Sequence, residues 1–201
     1  TDRTSADLAF LSSHDDDPFA RYEAMQQLML DTLVATIASG KSDHQAVVDA
    51  IGNTLSNPAL DPAFVAEAVL LPSEAFIGDQ MLLIDPEAIA LARDALRAEL
   101  ATAHEPMWRS LYARHASAAF EYSPAAKGAR RIRNLSLGYI AAAKAADAPA
   151  LAFAQFERAD NMTDRLAALG SLANSNASQR DAALDLFYRR YRDNALVLDK
   201  W

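Results

Sequence analysis

Aspartate followed directly by proline recurs along this sequence of 201 residues, at Asp17-Pro18, Asp61-Pro62 and Asp85-Pro86. An aspartate just before a helix accepts hydrogen bonds from the free amides of its first turn, and proline in that turn presets the backbone angle. Each pair therefore predicts the start of a helix. Glycine occurs only 6 times, and alternating runs rich in valine, isoleucine and threonine are almost absent. These features predict an all-α chain.

Apolar residues at helical spacing follow these start signals. The first helix is expected to end at Gly40, and its apolar face consists of Tyr22, Met25, Met29, Leu33 and Ile37. Similar patterns predict about nine helices in series, one of which should be kinked or broken at Pro106. Short connections favour antiparallel neighbours, so we expect irregular stacked helix pairs in a HEAT- or armadillo-like, right-handed α-superhelical array.

The two ends of the chain suggest a domain organisation. The apolar run from Leu8 to Leu11 stands before the first start signal and could end a strand. Residues 1–14 are therefore expected to be a linker or the remnant of a preceding β domain, and residues 15–201 the α-helical array. The apolar run from Leu196 to Leu198 is followed only by Asp199, Lys200 and Trp201, which leaves its face incomplete and predicts an array truncated at its C-terminus.

Composition excludes several classes of function. The net charge of −8 disfavours nucleic acid and anionic membrane surfaces as partners, because no sequence-wide basic field would attract their phosphates. Cysteine is absent, which excludes thiolate zinc sites, thiol nucleophiles and disulfides. This composition fits a reducing compartment, so we expect a cytoplasmic location. No apolar run approaches the roughly 20 residues that a membrane helix needs.

The sequence contains no recognisable catalytic or metal-binding motif. His104-Glu105 begins like a helical zinc signature, but Trp108 stands where the second histidine would have to be. The four histidines lack paired ligand spacing, so we expect surface or capping roles for them. No grouping of serine, histidine and aspartate and no phosphate-binding loop is present. We therefore expect no catalytic residue, metal ligand or cofactor in this chain.

Polar residues within the apolar pattern are candidates for structural roles. We expect polar ties within the array, or to neighbouring domains, from Arg21, Arg130, Asn134, Asn161 and Asp164. Asn161 and Asp164 have the spacing of a helix cap, in which each reaches into the first turn. Lys127, Arg130, Arg131 and Arg133 surround an apolar stripe, a pattern that usually marks a solvated face or ion pairs, with a domain interface as the less favoured alternative.

Six segments in order resemble the C-terminal helical region of bacterial aminopeptidase N, a family of zinc-dependent gluzincin aminopeptidases. The segments are His14–Ala24, Leu71–Glu74, Ile84–Ile89, Arg130–Asn134, Asp160–Leu169 and Leu196–Trp201. The block Asn161-Met-Thr-Asp164 followed by Asp199-Lys-Trp201 carries most of the specificity. Tyr22 and Tyr191 stand where tryptophan is frequent in the family, and Ala195 where proline is frequent.

The resemblance implies a parent enzyme that uses zinc-activated water to remove N-terminal residues from peptides. The family's zinc helix and its Gly-Ala-Met-Glu-Asn motif have no counterpart here, so this chain would be a non-catalytic cap that helps to enclose the substrate chamber. Zinc would be bound in the parent's catalytic domain, and that domain and others of the same chain would be the partners. A free-standing helical scaffold that binds a protein or peptide remains the alternative. Uncovered apolar faces at the ends also predict self-association.

Overall fold

The computed structural model describes residues 3–116 and 119–200, which contain twelve helices and no strand. The helices are α1 (Ser5–His14), α2 (Pro18–Ser39), α3 (Gln45–Ser56), α4 (Pro62–Ala68), α5 (Glu74–Gly78), α6 (Pro86–Ala103), α7 (Glu105–Arg114), α8 (Pro124–Ala142), α9 (Ala148–Arg158), α10 (Met162–Ala173), α11 (Gln179–Tyr191) and α12 (Ala195–Leu198). The prediction of an all-α fold is confirmed.

The helices begin where the sequence places acceptors and prolines. Asp17, Asp61 and Asp85 each accept a hydrogen bond from a first-turn amide and are followed by proline in the first helical turn. Ser123 caps α8 in the same way. Gly40 ends α2 in the left-handed conformation with φ of 67°, which glycine adopts without steric cost.

Consecutive helices pack as neighbours along the chain. Helix α1 lies on α2 and α3, α7 lies on α8, and α10 packs between α9 and α11. Longer-range contacts join separate parts of the chain: α8 packs on α4, α6 and α10, and α2 packs on α6. Helix α8 therefore joins the earlier helices to the later ones.

The buried apolar residues form two clusters. The larger cluster extends from α1 to α9 and includes the fully buried Leu33, Ile51, Leu96 and Trp108. The smaller cluster joins α8, α9, α10 and α11, and its buried members are Leu137, Ala152, Phe156, Ala168, Leu169, Leu172, Ala183 and Phe187. Tyr112 and Leu151 pack against both clusters, so the two are in contact.

Trp108 is a fully buried member of the larger cluster. Its ring stacks on Tyr139, with the centroids 4.1 Å apart and the planes 5° from parallel. The indole nitrogen donates to the Leu100 carbonyl at 3.1 Å, and the Tyr139 hydroxyl donates to the Val69 carbonyl at 3.3 Å. Both polar atoms are therefore satisfied, as burial of such groups requires.

The structure contains two helices that the sequence patterns did not predict, α1 and α12. The prediction of a strand end at Leu8–Leu11 is wrong, because these residues lie in α1. Thr4 and Asp7 form a reciprocal capping box that starts this helix, and Leu8 is buried in the larger cluster.

The break expected at Pro106 is confirmed, since α6 ends at Ala103 and α7 begins at Glu105. Thr1 and Trp201 lie outside the described residues.

Candidate functional site

Three of the five polar residues singled out from the sequence meet at the junction of α8, α9 and α10. Asn134 lies on α8, Asn161 is the N-cap of α10, and Asp164 lies in the first turn of α10. Gln155 of α9 joins them. We call these four residues the junction cluster. Asp164 and Gln155 are each only 4% exposed, so their polar groups depend on partners within the protein.

Two side-chain amides donate hydrogen bonds to the Asp164 carboxylate. Its Oδ1 accepts from Asn134 Nδ2 at 2.8 Å, and its Oδ2 accepts from Asn161 Nδ2 at 2.9 Å. Gln155 Nε2 donates both to Asn134 Oδ1 at 2.8 Å and to the Asp164 carbonyl at 3.0 Å. Asn161 Oδ1 accepts from the Asp164 amide at 3.0 Å, which is the cap expected from the spacing. The Asp164 side chain bonds to the Asn161 side chain in return.

A guanidinium group compensates the negative charge of the junction cluster. Arg133 Nη1 lies 3.9 Å from Asp164 Oδ2, and the side chain is mostly buried. The same guanidinium lies 4.8 Å from the centroid of the Tyr112 ring, and its Nη2 donates to the Tyr112 hydroxyl at 3.3 Å. Burial, opposed by Arg133, raises the pKa of Tyr112. A buried ion pair of this kind stabilises mainly by avoiding an uncompensated charge.

Arg165, next in sequence to Asp164, extends the cluster towards α11. Its Nε donates to the Phe156 carbonyl at 3.3 Å, Nη1 donates to the Tyr191 hydroxyl at 2.7 Å, and Nη2 donates to the Ala159 carbonyl. The residue is 8% exposed. Arg165 thus bonds the C-terminal end of α9 to α11. Neither Arg165 nor Gln155 was singled out from the sequence.

Arg130 connects to the same junction through the segment before α8. Arg130 Nη1 donates to the Glu121 carbonyl at 2.8 Å, and its guanidinium lies 4.8 Å from the Phe120 ring centroid. The Phe120 amide donates to Asp160 Oδ2 at 2.6 Å, and Asp160 accepts in turn from Asn161. These hydrogen bonds lower the pKa of Asp160, and the bond from Asn161 has the largest effect.

The basic residues of α8 therefore differ from one another in burial and in their partners. A solvated face is the wrong interpretation for Arg130, which is 7% exposed because the Phe120–Glu121 segment covers it. Arg131 instead forms an ion pair with Glu67 of α4 at 2.7 Å, and Lys127 Nζ lies 4.1 Å from the Tyr122 ring centroid. Ion pairing, one of the interpretations left open, describes Arg131.

Arg21 lies apart from the junction cluster. It projects from α2 and donates through Nε to the Ser12 carbonyl at 3.1 Å and through Nη2 to the Ser13 carbonyl at 2.7 Å. These carbonyls belong to the last turn of α1, whose acceptors have no partner within the helix. The contact fixes the C-terminal end of α1 on α2.

The expectation that the histidines have surface or capping roles is wrong for His44. It occupies the N-cap position of α3, but its side chain makes no capping bond and is 1% exposed. Its Nδ1 donates to Glu99 of α6 at 2.7 Å, while Nε2 lies 3.4 Å from Thr36 Oγ1 of α2. His104 also bonds between helices, donating through Nε2 to the Val48 carbonyl at 2.9 Å.

These contacts can hold helices in fixed relative positions, since donors of one helix are matched to acceptors of the next. Across residues 3–116 and 119–200, no three histidine, aspartate or glutamate side chains are grouped so as to hold a metal ion. Over the same residues, no helix is both long and apolar enough to cross a membrane.

Comparison with known proteins identifies relatives along the full length of the chain. It is 34% identical to aminopeptidase N of Caulobacter vibrioides over 205 aligned residues, which cover 100% of this chain and 24% of that protein. It is 31% identical to aminopeptidase N of Escherichia coli, covering 96% of this chain and 23% of the relative. The chain thus spans about a quarter of the length of these curated relatives.

A solved structure shares the fold. The crystal structure of Legionella pneumophila aminopeptidase A in complex with aspartic acid superposes with a TM-score of 0.85 at 23% identity, over 100% of this chain and 25% of that one. At this identity the likeness concerns the fold alone.

A family model described as "Domain of unknown function (DUF3458_C) ARM repeats" matches residues 5–201. The description confirms the predicted armadillo-like array, and the named relatives confirm the resemblance drawn from the sequence motifs. The chain therefore belongs to the DUF3458_C family of ARM-repeat domains and is homologous to the C-terminal region of bacterial aminopeptidase N.

Proposed function

We propose that this chain is the non-catalytic helical cap of a zinc-dependent aminopeptidase that removes N-terminal residues from peptides. The observation that carries the proposal is a match to aminopeptidase N at 34% identity over the whole chain, in a sequence without the zinc-binding His-Glu-x-x-His motif. Zinc and the hydrolytic groups would belong to another domain of the parent protein. The cap would contribute to the wall of the substrate chamber.

The architecture supports a role as a wall. An array of packed helices presents an extended surface, and such surfaces can enclose a site, exclude bulk water and limit the substrates that enter. The junction cluster and Arg165 bond α8, α9, α10 and α11 to one another through buried hydrogen bonds. A chamber wall needs this rigidity if it is to reject large substrates by shape.

The relatives favour the cap over a free-standing scaffold. Both curated relatives described above are named aminopeptidase N and are about four times as long as this chain. Peptides would then meet the cap only as substrates of the parent. The cytoplasmic location stays a prediction.

Substrate selection by the parent enzyme tests the proposal. The parent protein and its Asp164→Ala variant would be assayed on a small aminoacyl arylamide and on a long unstructured peptide. We expect loosening of the array to change the ratio of the two kcat/KM values several-fold while the zinc content stays constant. The exposed Asp193→Ala variant is the control. An unchanged ratio, in a variant whose array is shown to be loosened by hydrogen exchange, would contradict a role in access.

A further inference from the structure

Helix α5 and the loop after it display apolar side chains to solvent. Phe76 is 47% exposed, Leu83 is 83% exposed, Ile84 is 58% exposed, and Leu82 is fully exposed. We call these four residues the α5–α6 patch. Single exposed apolar residues are normal, but three in succession on a connecting loop are not, because such loops are usually polar. Large apolar side chains exposed close together on a surface are typical of interaction sites.

The loop is held in place at both ends. The amides of Gln80 and Met81 donate to the carbonyls of Ile77 and Gly78 at 3.1 and 3.0 Å, which continues α5 into a turn. At the other end, Asp85 caps α6 by accepting from the Ala88 amide at 3.0 Å. Ile84 lies against α5, since a Cβ added at Gly78 would be 3.5 Å from its Cγ2. The apolar side chains are thus presented by an ordered segment.

The charged residues of the segment that contains the α5–α6 patch are all acidic. Between Pro72 and Ala92 the sequence contains Glu74, Asp79, Asp85 and Glu87 and no lysine, arginine or histidine. Among the described residues, none of these four carboxylates forms an ion pair. Within the described part of the chain, the four carboxylates of this segment therefore have no ion-pair partner, and one cation, Arg93, lies beside the start of the segment, where its Nε donates to the Pro72 carbonyl at 2.9 Å.

A groove of about 380 Å³ adjoins the patch and shares Phe76 with it. The groove lies between α2 and the segment that joins α4 to α5, and its walls include Tyr22 and Leu70. Two further carboxylates line it, Glu23 and Glu67, of which Glu67 is already paired with Arg131. Gln26 of α2 fixes its width by donating to the carbonyls of Ala68 and Leu70 at 3.3 and 3.1 Å. Apolar walls with carboxylates suit the long stem and cationic head of a lysine or arginine.

We propose that the α5–α6 patch and its groove are the surface by which this chain docks on another domain of the parent protein, and that this domain offers an apolar surface bordered by lysine and arginine. The inference rests on the proposed function, which places the chain in a longer enzyme. Opposite charges at the border orient such a contact, while the apolar centre excludes water. A second copy is disfavoured as the occupant, because it would bring the same carboxylates into contact.

Site-specific photo-crosslinking in the full parent protein tests the docking surface. A photo-reactive amino acid at position 83 should crosslink within one molecule to a segment outside residues 1–201, and that segment should contain apolar residues next to lysine or arginine. The same probe at the exposed Lys41, on the turn after α2, is the control and should not label that segment. Replacement of Leu82 by aspartate should lower the crosslinking yield from position 83 at least tenfold.

The possible outcomes separate the two proposals. Crosslinks only between copies, or only within residues 1–201, would overturn the docking surface, as would a yield that Leu82→Asp leaves unchanged. Zinc-dependent peptide hydrolysis by the same preparation would then show that the proposed function still holds. If the reading frame encodes no zinc-binding domain, the proposed function fails and the docking surface fails with it.

Discussion

Asp164 illustrates how a buried charged residue orders the helices around it. A carboxylate that is 4% exposed is costly to bury unless donors replace the water it has lost. The amides of Asn134 and Asn161 supply these donors, and Arg133 supplies a compensating charge at 3.9 Å. Because the donors come from α8 and from the cap of α10, satisfying the carboxylate fixes the two helices relative to each other.

Removal of this carboxylate should destabilise the protein. We expect Asp164→Ala to lower the free energy of unfolding by about 3 kcal/mol, because buried amide donors left unpaired cost about 1–3 kcal/mol each. Urea denaturation followed by circular dichroism measures the change. The exposed Asp193→Ala variant should stay within about 0.5 kcal/mol of the unmodified protein. Equal effects of the two substitutions would contradict a structural role for the junction cluster.

Tyr139 should make stability depend on pH in the alkaline range. Burial raises the pKa of its phenol to about 12, against about 10 in the unfolded chain. Below about pH 10 the phenol is protonated in both states, and its contribution to stability is complete. Above that value the unfolded chain loses the proton first, so stability falls as the pH rises towards about 12.

Comparison of Tyr139→Phe with the unmodified protein isolates this contribution. Between about pH 9 and about pH 11, the unmodified protein should lose about 1.4 kcal/mol more than the variant, which corresponds to one pKa unit. Chemical denaturation at the two pH values measures both losses. Equal losses would contradict a raised pKa for this residue.

At the scale of single residues, the sequence identifies those whose partners are close in the chain. Asn161 and Asp164 are three residues apart, so the cap could be predicted from their spacing. His44 could not be interpreted in the same way, because its partner Glu99 lies 55 residues away. Gln155 and Arg165 were missed for a similar reason: the bonds of Gln155 to α8 and of Arg165 to α11 exist only once the helices have packed.

Individual helices follow local signals wherever those signals are specific. Aspartate before proline fixed the starts of α2, α4 and α6, because both residues act on the first turn itself. The four-residue run Leu8–Leu11 was misleading, since an apolar run this short does not distinguish a strand from a helix. The capping box of Thr4 and Asp7 was the local signal that identifies α1.

Close packing of α4 on α8 depends on the absence of a side chain at Gly128. A Cβ added there would lie 3.1 Å from both the backbone nitrogen and the Cβ of Ala63. We expect Gly128→Ala to destabilise the protein by about 1 kcal/mol, because overpacking costs about 1–3 kcal/mol and outweighs the gain in helix propensity of about 1 kcal/mol. Thermal unfolding shows whether the substitution lowers or raises the stability.

Gly170 of α10 is the matched control for this substitution. An added Cβ there would have no atom within 4 Å, so Gly170→Ala should stabilise the protein by up to about 1 kcal/mol. The two substitutions are chemically the same and should have opposite signs. Stabilisation at both positions would contradict the close contact of α4 with α8.

The whole molecule contains two apolar clusters of unequal size, and we expect the helices of the smaller cluster to be locally less stable. The smaller cluster is formed by α8 to α11, and its largest fully buried side chain is Phe187. Arrays of stacked helices unfold in parts when neighbouring units are coupled only through their interfaces. We therefore expect amide hydrogens of α9, α10 and α11 to exchange faster than those of α2, α3 and α6.

Phe187→Ala should enlarge this difference. Truncation of a buried phenylalanine costs about 3–5 kcal/mol, and we expect the loss to be confined to the smaller cluster. Hydrogen exchange followed by mass spectrometry should show faster exchange in α9, α10 and α11 with little change in α2, α3 and α6. A uniform increase along the chain would show that the two clusters unfold as one unit.

For the molecule as a whole, the sequence predicted the all-α class and, through short motifs such as Asn161-Met-Thr-Asp164, the family. It did not predict the α5–α6 patch. The exposure of Leu82 to Ile84 depends on how α5 and α6 pack together, and an apolar run in the sequence has the same pattern whether it is covered or not.

Under the proposed function, this chain forms part of the chamber wall of a zinc aminopeptidase and contributes no catalytic group. The most direct test is the hydrolysis of an aminoacyl arylamide by the rigorously purified 201-residue chain, with zinc added. We predict no turnover above the uncatalysed rate and no stoichiometric zinc, whereas the parent protein should be active under the same conditions. Turnover by the chain alone that a chelator abolishes and zinc restores would contradict the claim.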